Sequence, residues 1–334
     1  MMNAREGLSP DLIAELVSGY QRSRILLTAY ELGIFTAIGD EKKTSREVAL
    51  LIKADLRGTD RLMNALCALG LFDKKEELFS NRPLTARFLV EGKPEYMTNL
   101  MHANNQWRKW STLTEAVRCG TSVSPASDRG KSEDWPHSYI SAMHWRGGLL
   151  AAEFVSKIDL TGVSRMLDVG GGSGVYAMAM VRAKEDMEAV VFDLPDVIAL
   201  TRRFIEEAGL TNRMKTVEGD FEKDDFGSGF DLVLFSAILH MNSPLINKEL
   251  LDKARRALNP GGLVVISDFI LDEDRTTPVR GAIFAINMLV STEAGDSYTE
   301  GELREWMKAS GFDDIERKDL TSGHNLLMGR KSSG

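Results

Sequence analysis

The chain has 334 residues and a formal net charge of −8, with 43% hydrophobic and 27% charged residues. That length suggests two domains with ample core, and the acidic balance argues against a dedicated binder of nucleic acid or anionic membranes. Cys67 and Cys119 are far apart and lack CxxC spacing, so neither a disulfide framework nor a zinc site is signalled. The opening "MMNAREGLSPDLIAELVSG" carries charges where a signal peptide needs an apolar core, and no apolar run approaches the roughly 18 residues of a membrane span. A cytoplasmic protein is expected.

Residues 11–38 repeat apolar side chains at helical spacing: Leu12, Ile13, Leu16, Val17 and Tyr20, then Ile25, Leu26, Leu27, Ala29 and Leu32. These helices are apolar on more than one side, which suggests burial against another chain. "TSREVALLI" opens with a capping-box pair, Thr44 and Glu47, and "DLRGTDRLMNALCALGLF" offers a turn and a second amphipathic helix. "DKKEELFSNRPLTARFL" reads as short extended pieces around a charged turn. Helix, turn, helix and hairpin outline a winged helix, whose second helix can enter a DNA groove. Residues 42–93 hold 11 Lys and Arg against 7 Asp and Glu. That excess is small and interspersed, and the second helix spends much of its surface on Leu, Met and Ala. A dimerisation role is therefore preferred over a ligand-sensing DNA-binding regulator.

Residues 96–155 read as connecting helices rich in aromatic and amide side chains, interrupted by the polar loop "TSVSPASDRGKSEDWP". His102, Asn104, Asn105, Trp107, Met143, His144 and Trp145 can line a pocket for a flat organic molecule, or serve as core anchors. From Arg165 the rhythm is strand, helix, strand, helix: "RMLDVGG", "VYAMAMVRAK", "EAVVFDL", "PDVIALTRRFIEEAG", then strands "RMKTVEGD" and "FDLVLFSAIL". A helix follows that "NPGG" is expected to end, then the strand "LVVISDFIL". Helices "VRGAIFAINMLVS" and "TEGELREWMKASG" and two extended segments close the pattern. Apolar strands alternating with helices predict a mostly parallel sheet covered on both faces.

"DVGGGSG", Asp168 to Gly174, joins the first strand to its helix, where open α/β sheets bind nucleotides. Gly170, Gly172 and Gly174 let the backbone approach a ligand closely. Asp168 would repel a pyrophosphate and suits a cationic ligand instead, one bearing an ammonium and a sulfonium. Asp193, followed by Leu194, ends the second strand about 20 residues beyond the glycines, where a carboxylate takes ribose hydroxyls. Asp220 ends the third strand, placed to accept from an adenine amino group, with Phe221 beside it to pack on the base.

"LDVGGGSG", "VFDLP", "EGDF", "ILH" and "ALNPGG" in this order resemble the class I S-adenosylmethionine-dependent methyltransferases. More narrowly, they resemble the O-methyltransferases that include the acetylserotonin, caffeate and isoflavone enzymes and their bacterial relatives. The resemblance implies a Rossmann-like domain of seven mostly parallel strands over 156–334, preceded by connecting helices at 96–155 that contribute to the acceptor pocket. It further implies a winged-helix-like dimerisation domain over 1–95, hence a homodimer, with S-adenosyl-L-methionine as cofactor and a small-molecule acceptor.

His240 matches the histidine that serves this family as general base. A phenol with pKa near ~10 is a poor nucleophile until its proton is removed, and a histidine near ~6.5 can accept that proton. Asp268 falls where the family places the acid that orients the base, and as a neighbouring strand end it can reach the ring. The sequence departs from the family in three places. Ser297 occupies the position of a second acid, with Asp296 and Glu300 nearby; Met241 follows His240 where the family has an acid; and Ser236 stands where many plant members carry a cofactor-binding lysine. Met288 and Met143 match positions that hold the aromatic acceptor, and Phe284 and Asn287 share the face of Met288. The implied reaction is O-methylation of a small aromatic, polyketide or quinone-type molecule. C-methylation or a non-methylating use of the cofactor is the alternative within the fold. No cluster of acids and histidines calls for a metal.

Overall fold

The computed structural model describes residues 9–123 and 135–332. Most of the polar loop between the connecting helices, residues 124–134, lies outside the described residues, as do residues 1–8 of the opening segment. The chain divides into two compact units, Met1–Gln106 and Trp107–Gly334, and the division falls inside the segment 96–155.

In the first unit, Ser9 caps α1 (Pro10–Glu31) by accepting from the Leu12 N–H, and the chain turns at Gly33 into α2 (Ile34–Ile38). A two-residue strand β1 (Lys43–Thr44) leads into α3 (Ser45–Leu51), whose capping box is the expected Thr44–Glu47 pair. Asp55 caps α4 (Leu56–Ala68), and a hairpin of β2 (Phe72–Lys75) and β3 (Leu78–Asn81) follows. The three strands form an antiparallel sheet in the order β1-β3-β2, the wing of a winged-helix arrangement. "PLTARFL" is not extended as expected but forms α5 (Pro83–Leu89). Proline at its first turn has no N–H to lose, and the Thr85 hydroxyl donates to Leu71 O at 2.7 Å, fastening the helix to the hairpin's base. Ile34, Phe35, Ile38, Met63, Leu66, Phe72 and Phe79 fill the core, while Ile13, Leu16 and Val17 of α1 are exposed.

Helix α6 (Asn99–Trp110) runs across the division, followed by α7 (Leu113–Cys119) and α8 (Trp135–Ser156). The second unit then alternates β4 (Arg165–Val169), α9 (Val175–Ala183), β5 (Glu188–Asp193), α10 (Pro195–Glu207), β6 (Met214–Glu218) and β7 (Phe230–Ser236). A 3-10 turn at Leu239–Met241 precedes α11 (Pro244–Ala257), β8 (Leu258–Asp268), α12 (Val279–Ser291), α13 (Glu300–Ala309), β9 (Phe312–Asp319) and β10 (Asn325–Lys331). The seven strands are ordered β6-β5-β4-β7-β8-β10-β9, parallel from β6 to β8 and antiparallel around β10.

Strand alternation divides the core between the sheet's two faces. Val233 and Phe235 of β7 join the cluster with α11 and α13, and Leu232 and Leu234 join the cluster with α9 and α10. The helix before β8 ends earlier than the "NPGG" signal suggests. Leu258 is already buried and paired with Phe230, and Asn259 donates to Asp231 Oδ1 at 2.8 Å, so Pro260, Gly261 and Gly262 lie inside β8. The pairing shifts register between Phe230 and Leu232, which absorbs the extra residues.

Candidate active site

The parallel strands end along one edge, and the residues singled out in the sequence lie there. Asp168, next to last in β4, is only 1% exposed, and its Oδ1 has no hydrogen-bond partner. Burial, reinforced by the neighbouring Asp193, pushes its carboxyl up to about 8. The glycine loop follows at once. Gly170 has φ +63°, and a Cβ there would stand 2.3 Å from Ile238 Cδ1 and 3.9 Å from the Phe221 ring. Only glycine suits that position, and the close approach brings the loop, Ile238 and Phe221 to one place. Gly172 and Gly174 also take positive φ, and Gly174 caps α9.

Asp193 at the end of β5 accepts from the Gly172 N–H and the Leu194 N–H, both at 2.8 Å. Burial pushes its carboxyl up, and these two N–H groups work against that shift. Asp193 therefore ties the glycine loop to the β5 end, and Leu194 caps α10 with its side chain half exposed. Asp220 is held below the usual carboxylate range by the Lys223 ammonium, which donates at 2.6 Å; the Glu222 N–H also donates, at 3.0 Å. Ser236 ends β7 in register with Ser267 of β8.

The 3-10 turn after β7 carries His240, 6% exposed. Its Nδ1 donates to Asp268 Oδ1 at 2.7 Å, and its backbone N–H donates to Oδ2 of the same carboxylate at 3.2 Å. The Phe269 N–H adds a third donor at 2.8 Å. Burial by itself raises the Asp268 carboxyl, but its interaction with His240, by charge and by hydrogen bond, together with the Phe269 N–H, holds it below its ordinary range. Asp268 is thus an anion at neutral pH, and a neutral ring donating from Nδ1 presents its lone pair at Nε2. Phe284 meets the His240 ring edge-on, with centroids 4.9 Å apart, and packs on Phe269 at 4.3 Å.

The acids near the family's second acidic position do not turn to His240. Asp296 binds Arg275 at 3.1 Å through its side chain, while its backbone N–H donates to His240 O at 3.0 Å. Glu300 is spent on Arg304 and Arg317, and Ser297 is fully buried with its hydroxyl unpartnered. Of the expected acceptor residues, Met288 is buried, Met143 is half-buried, and Asn287 Oδ1 accepts from the Trp110 indole N–H at 3.0 Å. Trp107 is 37% exposed. Asn104 accepts from Arg24 at 2.5 Å within the first unit.

His144 of α8, one of the candidate pocket residues, shares a 3.0 Å hydrogen bond with Ser173 of the glycine loop and stacks on Phe204 at 4.1 Å. Sequence reading missed other participants. Arg280 and His324 meet the wall at Phe269 from two separate segments, and Arg146, from a third, acts electrostatically with both. Nothing in their local spacing signals that convergence. Among the described residues, no group of three or more His, Cys, Asp or Glu is arranged to hold a metal, and no helix is long and apolar enough to cross a membrane.

Three acids on neighbouring strand ends beside a glycine loop, with a buried His–Asp pair on the next two strands, define an α/β enzyme site. Comparison with known proteins agrees. A family model described as an O-methyltransferase domain matches residues 110–313, and one described as an O-methyltransferase dimerisation domain matches residues 14–91. A 3-hydroxy-5-methyl-1-naphthoate 3-O-methyltransferase of Streptomyces sahachiroi is 33% identical over 312 residues, 92% of this chain and 90% of that one. The tetracenomycin polyketide synthesis 8-O-methyl transferase TcmO of Streptomyces glaucescens is 27% identical over 329 residues, 96% of this chain and 97% of that one. The crystal structure of human N-acetylserotonin methyltransferase in complex with SAM superposes with a TM-score of 0.86 at 24% identity, over 99% of this chain and all of that one. The chain belongs to the S-adenosylmethionine-dependent O-methyltransferase family.

Proposed function

We propose that this enzyme transfers a methyl group from S-adenosylmethionine to a phenolic hydroxyl of a fused-ring aromatic acceptor, with His240 as general base. The observation that carries this reading is the buried 2.7 Å contact between His240 Nδ1 and Asp268 Oδ1. The two Streptomyces relatives, named for a naphthoate and a tetracenomycin polyketide, support a fused-ring acceptor.

The residues fit the cofactor. Asp168 buries a carboxyl oxygen without a partner, a position that the cationic methionyl end would satisfy, and Gly170, at positive φ, makes the sharp turn of the loop beside it. Asp168, Gly170, Gly172, Gly174, Asp193, Leu194, Asp220, Phe221 and Ser236 would hold it. When bound, the cofactor supplies a methyl group activated on a sulfonium. The protein's own work is to bind, orient and deprotonate. His240 Nε2 takes the phenolic proton as the new O–C bond forms, and Asp268 fixes the ring's tautomer and stabilises the imidazolium that results. Phe269 and Phe284 shield the pair from water. Met143, Trp107, Asn287 and Met288 would shape the rest of the acceptor site, and the exposed apolar stripe of α1 supports a homodimer.

The test is turnover with S-adenosylmethionine and a panel of phenols, catechols, hydroxynaphthalenes and hydroxyindoles, reading S-adenosylhomocysteine together with product mass. A product heavier by one CH2 unit, lost in His240→Ala while cofactor binding persists, is expected. Methylation at undiminished rate in that variant would overturn the assignment of the base.

A further inference from the structure

Two residues beyond the His144 that touches Ser173, α8 carries a guanidinium for whose charge no counter-ion is found among the described residues. Nη2 of Arg146 is shut off from solvent and has no hydrogen-bond partner among them. Burial weighs against its charge, and Arg280 on α12 adds repulsion. The phenols of Tyr176 and Tyr139 favour the charge, but burial pushes both above the ordinary phenol range, so neither is an anion at neutral pH.

Arg280 lies over Phe269, its guanidinium carbon 5.6 Å from the ring centre, and donates to Ser322 O at 2.5 Å. Phe269 in turn packs on His324 at 4.1 Å and on Phe284 at 4.3 Å, and Phe284 meets His240. The path from Arg280 to the base is therefore a continuous aromatic wall. His324 is also incomplete, for its Nε2 is buried without a partner. Burial, with Arg146, His240 and Arg280 in that order, pushes it down to about 4, so it adds no charge at neutral pH. The carboxylate that acts on His324, Asp268, is already committed to the His240 ring and backbone. Arg280 is exposed and bonded to Ser322 O, so the buried, unpartnered Nη2 of Arg146 is the donor left for a ligand's anion to satisfy.

We propose that Arg146, supported by Arg280, is a carboxylate-binding subsite bordering the His240–Asp268 pair, and that the acceptor is an aromatic hydroxy acid. Its phenolic oxygen faces His240 and its carboxylate faces the guanidinium fork. This rests on the reading of His240 as base. S-adenosylmethionine carries a carboxylate of its own, but Arg146 acts on His324, whose ring packs on the Phe269 of the His240 wall, and this favours the acceptor's.

The experiment is calorimetric titration of the full chain, saturated with S-adenosylhomocysteine, with a set of hydroxynaphthoic acids, their methyl esters and the parent naphthols. At least one acid is expected to bind about ten-fold or more tightly than its ester. Arg146→Gln erases that preference while leaving affinity for S-adenosylhomocysteine intact, Arg280→Gln reduces it, and Arg146→Lys, which keeps the charge without the fork, falls between. Equal binding of acids and esters by the unaltered protein overturns the proposal whatever the variants do. So does a preference that survives in Arg146→Gln. Loss of S-adenosylhomocysteine affinity in that variant, with the acid preference intact, would assign the carboxylate to the cofactor instead. An acid that binds with the expected preference but is never methylated would sink the base reading and leave the subsite standing.

Discussion

One carboxylate holds His240 at two points: Asp268 Oδ1 takes the ring Nδ1–H at 2.7 Å and Oδ2 takes the main-chain N–H at 3.2 Å. The ring's direction and the turn that carries it are therefore set by the same residue, on the neighbouring strand. His240→Ala should lower kcat by about 10²- to 10⁴-fold, the usual range for a lost general base. Asp268→Asn should lower kcat by about 10²-fold or more, because an amide can donate to Nδ1 and stabilise the wrong tautomer. Steady-state kinetics at saturating cofactor check both, and unchanged kcat in either variant would contradict the assigned roles.

If Asp168 holds the cofactor as proposed, its buried carboxyl makes cofactor binding depend on pH. With its folded pKa raised to about 8, the proton is retained where an unfolded chain would have lost it. This group's contribution to stability is full below the ordinary carboxylate pKa and is lost as pH rises towards about 8. A cationic ligand beside the carboxyl favours its ionised form. S-adenosylmethionine affinity should rise with pH up to about 8 and then level off, with close to one proton released per cofactor bound at about pH 7. Calorimetry in buffers of different ionisation enthalpy measures that release. Asp168→Asn should abolish it, and a proton release that persists in the variant would point to another group.

Gly295 leaves the space in which the loop after α12 grips the turn that carries His240. A Cβ there would stand 2.3 Å from His240 O, 2.7 Å from Thr292 Oγ1 and 3.0 Å from the Met241 carbonyl carbon. Two of those three are backbone atoms, so Gly295→Ala should push the loop off and weaken the Asp296 N–H bond to His240 O. We expect a loss of about 1 to 3 kcal/mol in stability together with reduced kcat. Thermal melts and turnover measured on the same preparation check this. A normal melt with normal turnover would mean the loop does not steady the base.

The apolar stripe of α1 predicts the assembly. Leu16 is 69% and Val17 is 70% exposed, more than a solvated helix needs to show. Leu16→Asp combined with Val17→Asp should convert dimers to monomers in sedimentation velocity, without a change in cofactor affinity. Dimers that survive the pair of charges would place the interface elsewhere.

Local pattern carried much of the fold. The spacing in "VRGAIFAINMLVS" matches α12, Val279–Ser291, residue for residue, and the Thr44–Glu47 box starts α3 where expected. Two local readings failed because distant contacts overrode them. Leu258 pairs with Phe230 before the Pro-Gly-Gly signal is reached, and Thr85 reaches back to Leu71 to make a helix of a segment that looks extended. In the site, the strand-end acids and His240 were legible because motif and strand register put them on one edge. The side chains of Asp296 and Glu300 were not, since each follows whichever arginine the fold brings near.

The sequence by itself determined that acids and glycines stand at the ends of parallel strands, because period and spacing along one chain dictate which residues reach a strand's end. Only the tertiary structure decided that Asp268 clamps His240 twice, that Asp168 hides an unpartnered oxygen, and that Arg280 lies over Phe269 with Arg146 acting on it electrostatically. Those relationships join segments tens to more than a hundred residues apart. The burial that makes them consequential comes from the packing of whole layers rather than from local spacing.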